Sequence, residues 1–267
     1  PCLTALYAID THIHSWFPRY AQGFDLVLVS LKDHLRLFHG ARHTEETVLW
    51  SPPYAKEEDI PGPPDPGKPL WDVLFVGTVD PALTPERGAF LAALSPLVPG
   101  LRVMSGAYKD LYPQAKIVLN HTVGNDLNFR VFEALGCGAC LVTPEVGHGL
   151  RDLFINREEL FLYDQNDIPG LAALLETLLA DPDSRRRAGA RGHMAVDARH
   201  YLRHRARTFA NVVAEHIASG KAADMIVSRL RDAKKINAAW LRFIYLLHAE
   251  TAASEAVKSI YLQASKG

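Results

Sequence analysis

The chain has 267 residues, of which 48% are hydrophobic and 22% charged. This is an ordinary globular composition, and it excludes a collagen, a disordered chain or a disulfide-rich miniprotein. With 29 basic and 30 acidic residues, the net charge of −1 excludes the overall basic field of a nucleic-acid-binding protein. The three cysteines are too few for a disulfide framework, which predicts reduced thiols and a cytoplasmic protein. No apolar run approaches the ~20 residues of a membrane span. The chain starts at Pro1 without a leader, so we expect a longer protein whose beginning is missing.

Short apolar runs predict three strands before residue 51, with a helix at Lys32–Phe38 between the last two. These strands are expected at Thr4–Ile9, Asp25–Ser30 and Thr47–Trp50. Seven prolines then fall between Pro52 and Pro69, and each restricts its own φ and the residue before it. We therefore place a semi-rigid linker at residues 52–69, between a first domain at 1–51 and a second domain that starts at residue 70.

After the linker, apolar runs typical of buried strands alternate with amphipathic segments typical of helices, which favours a doubly wound parallel sheet. The strands are expected at Asp72–Gly77, Leu101–Met104, Lys116–Asn120, Cys140–Thr143 and Leu160–Tyr163. The helices are expected after the cap Thr84, at Leu127–Leu135 and Asp167–Leu179, and after the cap Asp181. This second domain ends near residue 210, and residues 211–267 read as a helical tail.

A polar turn at His121–Asp126 joins the predicted strand that ends at Asn120 to the next helix. Such a turn presents free backbone N–H groups and the positive end of the helix dipole, which suit an anionic diphosphate. Glu133 lies about a turn into that helix and could accept hydrogen bonds from a ribose diol. From this pattern alone, a connecting loop followed by a core helix with a surface Glu remains an equal alternative.

The run Asn125–Thr143, with FEALGCGACLVT at its centre, resembles glycosyltransferases of the GT-B fold, and among them the bacterial CgeB-like group. Weaker matches extend the resemblance over about residues 3–213. It implies an α/β enzyme of GT-B type, with a complete Rossmann-like C-terminal domain and a partial N-terminal one. It further implies a hexosyltransferase-like transfer from a nucleotide-sugar, UDP-linked, to a glycan, a protein or a lipid-linked acceptor. No metal and no cofactor are expected in this reaction.

The resemblance also assigns roles to individual residues. Glu133 is expected to hold the ribose, and the position eight residues earlier, a second Glu in the complete family motif, is Asn125 here. This departure leaves open the donor sugar and whether the reaction is retaining or inverting. The candidate catalytic residues are His12 and Arg130. The candidate nucleotide-sugar-binding residues are Gly77, Arg87, His121, Gly124, Asn125, Asn128 and Glu133.

Two rival interpretations remain open at this stage. Asp10, His12 and His14 fall at a predicted strand end, where two imidazoles at i and i+2 could share a metal, as in metal-dependent hydrolases, with His121 as a further ligand. The predicted helical end of the chain does not suit the barrel that such hydrolases use. The other rival is a nucleotide-sugar-binding remnant without transferase activity.

Three further features bear on partners. The C-x-x-C pair Cys137 and Cys140 follows a helix instead of starting one, so we expect buried structural thiols. Residues 185–207 hold eight Arg and three His against one acid, which marks either a solvated face or a peripheral membrane contact. The tail is expected to bury Trp240, Phe243 and Leu247 on the N-terminal segment or in a homo-oligomer.

Overall fold

A computed structural model describes residues 2–59 and 69–266. The chain divides into two compact units, of which the first combines Pro1–Ser51 with Ala210–Gly267 and the second comprises Pro52–Phe209. Residues 60–68 of the predicted linker lie outside the described residues. No helix in the described ranges is both long and apolar enough to cross a membrane.

The first unit is built on a three-stranded parallel sheet in the order β1-β2-β3. Its strands are β1 (Ala5–Ala8), β2 (Leu26–Val29) and β3 (Val48–Trp50), each within the run predicted for it. Leu26 and Val27 of β2 are fully buried and point to opposite faces, so the central strand of the sheet is covered on both faces. The loops between the strands carry helix α1 (Phe17–Tyr20) and two 3₁₀ helices (Ala21–Gly23 and Lys32–Phe38). The helix predicted at the last of these ranges therefore exists as a 3₁₀ helix, with His34 N–H donating to the Leu31 carbonyl three residues back.

Helices of the tail complete the first unit: α9 (Lys221–Arg231), α10 (Ala233–Glu250) and α11 (Glu255–Ala264). Trp240 of α10 stacks on Tyr20 at 5.0 Å between ring centroids and donates its indole N–H to the Tyr20 carbonyl. A Cβ on Gly23 would lie only 1.9 Å from the Trp240 ring, so glycine makes this approach possible. The expected docking of the tail on the N-terminal segment is thus confirmed. The expected burial of Leu247 is wrong, because this side chain remains 37% exposed.

The second unit contains a five-stranded parallel sheet in the order β5-β4-β6-β7-β8. Its strands are β4 (Trp71–Val76), β5 (Leu101–Met104), β6 (Ala115–Leu119), β7 (Leu141–Pro144) and β8 (Phe161–Tyr163). Strand β5 is added on one side of β4 and β6 on the other, so the winding direction reverses between β4 and β6. Ligands of open α/β sheets bind at the carboxyl ends of the strands at such a switch point.

Long and short helices cover this sheet: α2 (Pro85–Leu94), α3 (Tyr108–Leu111), α4 (Phe129–Gly136), α5 (Leu150–Leu153), α6 (Ile168–Ala180) and α7 (Pro182–Arg199). Short 3₁₀ helices occur at Glu57–Asp59 and Tyr112–Gln114, and α8 (Leu202–Ala218) contains the boundary between the two units. Asp181 caps α7 as predicted, since its carboxylate accepts from the Ser184 N–H. Thr84 precedes α2 as predicted, but it does not cap the helix, because its hydroxyl donates to the Asp80 carbonyl.

The basic stretch on α7 and α8 is largely engaged in contacts within the protein. Its arginines contact nearby carboxylates, backbone carbonyls or a serine hydroxyl: Arg185 (Leu178 and Leu179), Arg186 (Asp183), Arg187 (Ser184), Arg191 (Glu158), Arg199 (Glu159), Arg203 (Glu57 and Asp197) and Arg205 (Pro52 and Pro53). Membrane contact through this stretch stays a prediction, and these pairings leave less positive charge free for it.

The two cysteines of the C-x-x-C pair are buried, as predicted, and neither forms a disulfide bond with another described cysteine. Cys137 follows the last residue of α4 and Cys140 precedes β7. Burial raises the pKa of the Cys140 thiol to about 12, which keeps it protonated at neutral pH. The Cys140 thiol therefore behaves as a small core side chain, and Cys137 is likewise buried.

Candidate active site

The carboxyl end of β6 is organised by Asn120, which has no exposed surface. Its backbone carbonyl accepts the Tyr163 hydroxyl at 2.8 Å, and its side-chain N–H donates to the Thr143 hydroxyl at 3.0 Å. Its side-chain oxygen accepts from the Arg130 guanidinium at 2.9 Å and from Asn128 at 3.4 Å. Through its backbone and its side chain, this one buried residue links β6 to β7, to β8 and to the start of α4. Sequence reasoning treated Asn120 only as a strand end, although an Asn directly after an apolar strand is a usable signal.

Two arginines meet at the switch point between β4 and β6. The guanidinium carbons of Arg87 and Arg130 lie 5.7 and 5.3 Å from the centroid of the Phe75 ring. Gly77, directly after β4, leaves the space that Arg130 fills, since a Cβ there would lie 2.8 Å from Nη2. Arg87 also donates to the Thr78 carbonyl at 2.8 Å.

The two guanidinium groups are close enough to interact electrostatically. Burial first, and then the charge of Arg130, lowers the pKa of Arg87. Two neighbouring cations in a partly buried crevice repel each other, and an anion bound there would relieve the repulsion. The arrangement is therefore chemically suited to a phosphate or diphosphate.

His121 begins the turn between β6 and α4 and is only 6% exposed. Its ring lies 4.2 Å from that of Phe90, between centroids. Burial, followed by the nearby charges of Arg87 and Arg130, lowers the pKa of His121 to about 4. The imidazole is consequently neutral at pH 7 and adds no third positive charge to the site.

The rest of the turn reverses the chain through two consecutive left-handed residues, Gly124 at φ +66° and Asn125 at φ +55°. The side-chain oxygen of Asn125 accepts from Gln165 at 3.1 Å, which holds the turn against the loop after β8. Asn128 precedes α4 in extended conformation, and its side-chain amide hydrogen-bonds to that of Asn120. It therefore does not cap the helix. The first N–H groups of α4 consequently lack a side-chain cap at the carboxyl edge of the sheet.

Glu133 lies one turn after Arg130 on α4 and is half-buried. Both residues interact electrostatically with Tyr112, whose pKa is raised mainly by burial. The structure thus groups Gly77, Arg87, His121 and Arg130 at the switch point, with Gly124, Asn125 and Asn128 in the adjoining turn.

His12 lies in the first unit, beyond the carboxyl end of β1. It does not continue the strand, because His14 and Ile13 both donate backbone N–H groups to the Asp10 carbonyl in a turn. The metal-hydrolase interpretation, which requires His12 and His14 on one strand, is therefore wrong on this point. The described strands form two open sheets and not the barrel that such hydrolases use. The buried Thr11 hydroxyl instead hydrogen-bonds to His34 Nδ1 at 2.7 Å, a pairing that the sequence did not suggest.

Comparisons with known proteins agree with this architecture. Residues 94–211 match the protein-family model described as glycosyl transferase-like. No curated protein matches the chain in sequence.

Solved structures of glycosyltransferases share the fold. Sucrose-phosphate synthase of Thermosynechococcus elongatus matches with a TM-score of 0.56 at 17% identity, over 79% of this chain and 64% of that one. HepE of Anabaena, solved in complex with UDP, matches with a TM-score of 0.61 at 12% identity, over 79% of this chain and 72% of that one. TarM matches with a TM-score of 0.54 at 11% identity, over 74% of this chain and 45% of that one.

The likeness at these identities is one of fold, and the chain has the α/β fold of GT-B glycosyltransferases. It spans 64% of the length of the synthase and 45% of that of TarM. The narrower resemblance to the CgeB-like group stays a prediction.

Proposed function

We propose that this chain transfers a sugar from a nucleotide-sugar donor, UDP-linked, to an acceptor. The observation that carries the proposal is the pair of guanidinium groups, Arg87 and Arg130, against Phe75 beside Gly77 at the switch point of the second sheet. The glycosyl transferase-like family match over residues 94–211 supports sugar transfer. HepE, a neighbour in fold, has been solved with UDP-glucose, which supports UDP as the nucleotide.

In this proposal the diphosphate binds between the two arginines and the uncapped start of α4. The turn at Gly124 and Asn125 borders it, and Glu133 accepts hydrogen bonds from the ribose. During transfer, the bond from the anomeric carbon to the diphosphate oxygen breaks and its electron pair leaves with the diphosphate. A bond from an acceptor hydroxyl oxygen to the anomeric carbon replaces it, and the proton of that hydroxyl passes to the released diphosphate or to solvent.

Negative charge thus accumulates on the leaving diphosphate as the bond breaks. Arg130 is fixed before the reaction by Asn120, so it can stabilise this charge without reorganising. We expect this stabilisation to suffice without a metal ion. His12 is the candidate catalytic residue of the first unit.

The proposal is tested by calorimetric binding of UDP to the full chain, followed by turnover of UDP-glucose measured as UDP release, with and without chelator. Arg130→Met should weaken UDP binding about ten- to hundredfold, as expected when a charge-assisted contact worth ~1.5–3 kcal/mol is lost. The control is Arg191→Met, which removes an exposed arginine paired with Glu158. Equal UDP affinities of the two variants would contradict the site.

The alternative of a nucleotide-sugar-binding remnant makes a different prediction. Such a protein would bind UDP and respond to Arg130→Met but would neither transfer nor hydrolyse the sugar. In an active enzyme, His12→Ala should lower kcat and leave UDP affinity unchanged. Location in the cytoplasm, the acceptor and any oligomer formed through the tail remain predictions.

A further inference from the structure

A second polar cleft adjoins the proposed diphosphate site. It has a volume of about 500 Å³ and lies between α2 and α6, below the turn after β6. Its lining combines apolar, hydroxyl and amide side chains with one carboxylate: Glu86, Ala89, Phe90, His121, Thr122, Gly124, Asn125, Gln165, Asn166 and Ile168. His121 lines the cleft and interacts electrostatically with both Arg87 and Arg130, so the cleft adjoins the arginine pair.

Three side-chain atoms in this lining are buried and have no hydrogen-bond partner among the described residues: Nδ1 of His121, Oγ1 of Thr122 and Oε1 of Gln165. His121 and Thr122 are only 6% and 3% exposed. Leaving a buried polar atom without a hydrogen bond costs free energy. Because these three atoms belong to the lining of an open cleft, we infer that a bound ligand or a water molecule supplies the missing hydrogen bonds. The volume far exceeds the ~30 Å³ share of one water.

The chemistry of the lining indicates what such a ligand would be. Hydroxyl, amide and neutral imidazole groups can each donate or accept, which suits hydroxyl groups pointing in several directions. His121 is neutral here, because burial and the nearby arginines lower its pKa to about 4. Among the described residues that line the cleft, Glu86 is the only acidic one, and no Lys or Arg is in the lining.

We propose that this cleft receives the sugar group of the donor, and that this group is an uncharged, polyhydroxylated ring. The inference rests on the proposed function and narrows its substrate class. A ring hydroxyl supplies the partners that His121, Thr122 and Gln165 lack. The carboxylate of a hexuronate would instead face Glu86, and like charges at close range repel.

The test compares UDP, UDP-glucose and UDP-glucuronate by calorimetry on the full chain. UDP-glucose should bind at least about tenfold more tightly than UDP, and UDP-glucuronate about five- to tenfold more weakly than UDP-glucose. Glu86→Gln should remove most of the discrimination against the glucuronate. Its control, Glu176→Gln on the exposed surface of α6, should leave the discrimination unchanged.

Thr122→Val gives an independent readout, because it replaces an unpartnered hydroxyl by a methyl group of similar size. It should retain the melting temperature and the UDP affinity but lose several-fold in affinity for UDP-glucose. Thr177→Val, which removes an exposed hydroxyl bonded to the Ala173 carbonyl, is the control. If UDP binds but the glucose adds no affinity, or if Thr122→Val leaves the UDP-glucose affinity unchanged, the inference is wrong and the proposed function stands. If UDP does not bind, both fail.

Discussion

Gly77 and Arg130 are packed so closely that a single added carbon would displace the guanidinium group. A Cβ on residue 77 would lie 2.8 Å from Nη2 of Arg130 and 3.2 Å from Cζ of Phe75. Because the clashing atom ends a long flexible side chain, the fold can absorb the change, but the guanidinium group, which donates to Asn120 through its other nitrogen Nη1 at 2.9 Å, has to shift. The lack of a side chain on Gly77 therefore determines where the guanidinium group of Arg130, which is proposed to bind the diphosphate, can lie.

Gly77→Ala should weaken UDP binding about tenfold, or ~1.4 kcal/mol, with little loss of thermal stability. Gly88→Ala is the matched control, since its Cβ would meet only Val79 Cγ1 at an ordinary 3.8 Å. Alanine within α2 should if anything stabilise the chain. Calorimetry with UDP and thermal unfolding of both variants check this, and the idea fails if both bind UDP like the parent chain.

Glu133→Ala should weaken UDP binding ten- to hundredfold, because a carboxylate that accepts ribose hydrogen bonds contributes ~1.5–3 kcal/mol. The same substitution should affect the binding of 2′-deoxy-UDP less, since one of the two hydroxyl donors is already missing. The affinities of the parent chain and of Glu133→Ala are measured for both UDP and 2′-deoxy-UDP. Comparing these four values separates the ribose contact from any general damage to α4. Identical losses for both nucleotides would show that Glu133 does not contact the 2′-hydroxyl.

Most of the second sheet could be predicted because its strands are buried apolar runs separated by helices. All five strands occur within a residue or two of the predicted ranges, and the turn after β6 falls where His121–Asp126 was expected. Local pattern is sufficient for such elements, since burial on both faces leaves a continuous apolar run. This local pattern did not identify Arg87 and Arg130, which became candidates through the resemblance to GT-B glycosyltransferases.

The contacts that fix the site could not be predicted in this way. Asn120 accepts the hydroxyl of Tyr163, 43 positions away along the chain, and Thr11 pairs with His34 across two different loops. Such pairs depend on tertiary packing and leave no periodic trace in the sequence. For the same reason, the strand-based geometry assumed for His12 and His14 was wrong, since a hydrogen-bonded turn at Asp10 ends the strand early.

A buried ion pair fastens the tail to the first sheet. Arg229 of α9 donates through Nε to both carboxylate oxygens of Asp25 at 3.0 Å, and the Asp25 side chain is fully buried. The Thr4 backbone N–H and hydroxyl also donate to this carboxylate at 2.9 Å. Arg229→Met would leave the Asp25 carboxylate buried without the positive charge that donates to both of its oxygens. This should lower the free energy of unfolding by ~3–5 kcal/mol.

Urea unfolding of the full chain measures this loss. Lys221→Met is the control, because Lys221 also joins the tail to the N-terminal segment, through Glu46, but both partners are exposed. Exposed pairs contribute little, so this variant should unfold like the parent chain. Equal stability of the two variants would show that the buried pair is not what holds the tail.

Acid should destabilise the second unit through His121. The pKa of this imidazole is lowered to about 4 in the folded chain, chiefly by burial, whereas an unfolded histidine titrates near 6.5. As the pH falls below 6.5, the unfolded chain takes up a proton that the folded chain does not, so unfolding becomes more favourable until the folded group also titrates near 4. Above pH 6.5 the imidazole is neutral in both the folded and the unfolded chain, so its contribution to the free energy of unfolding no longer changes with pH.

His121→Gln keeps a polar side chain without titrating, so its stability should fall less than that of the parent between pH 6.5 and 4.5. Urea unfolding at several pH values gives the two profiles, with His14→Gln, an exposed position in the first unit, as the control. His200, buried beside Arg205 with its pKa lowered to about 3, should contribute in the same direction and persist in both variants. Superimposable profiles for the parent chain and His121→Gln would mean that the imidazole is not held neutral by burial.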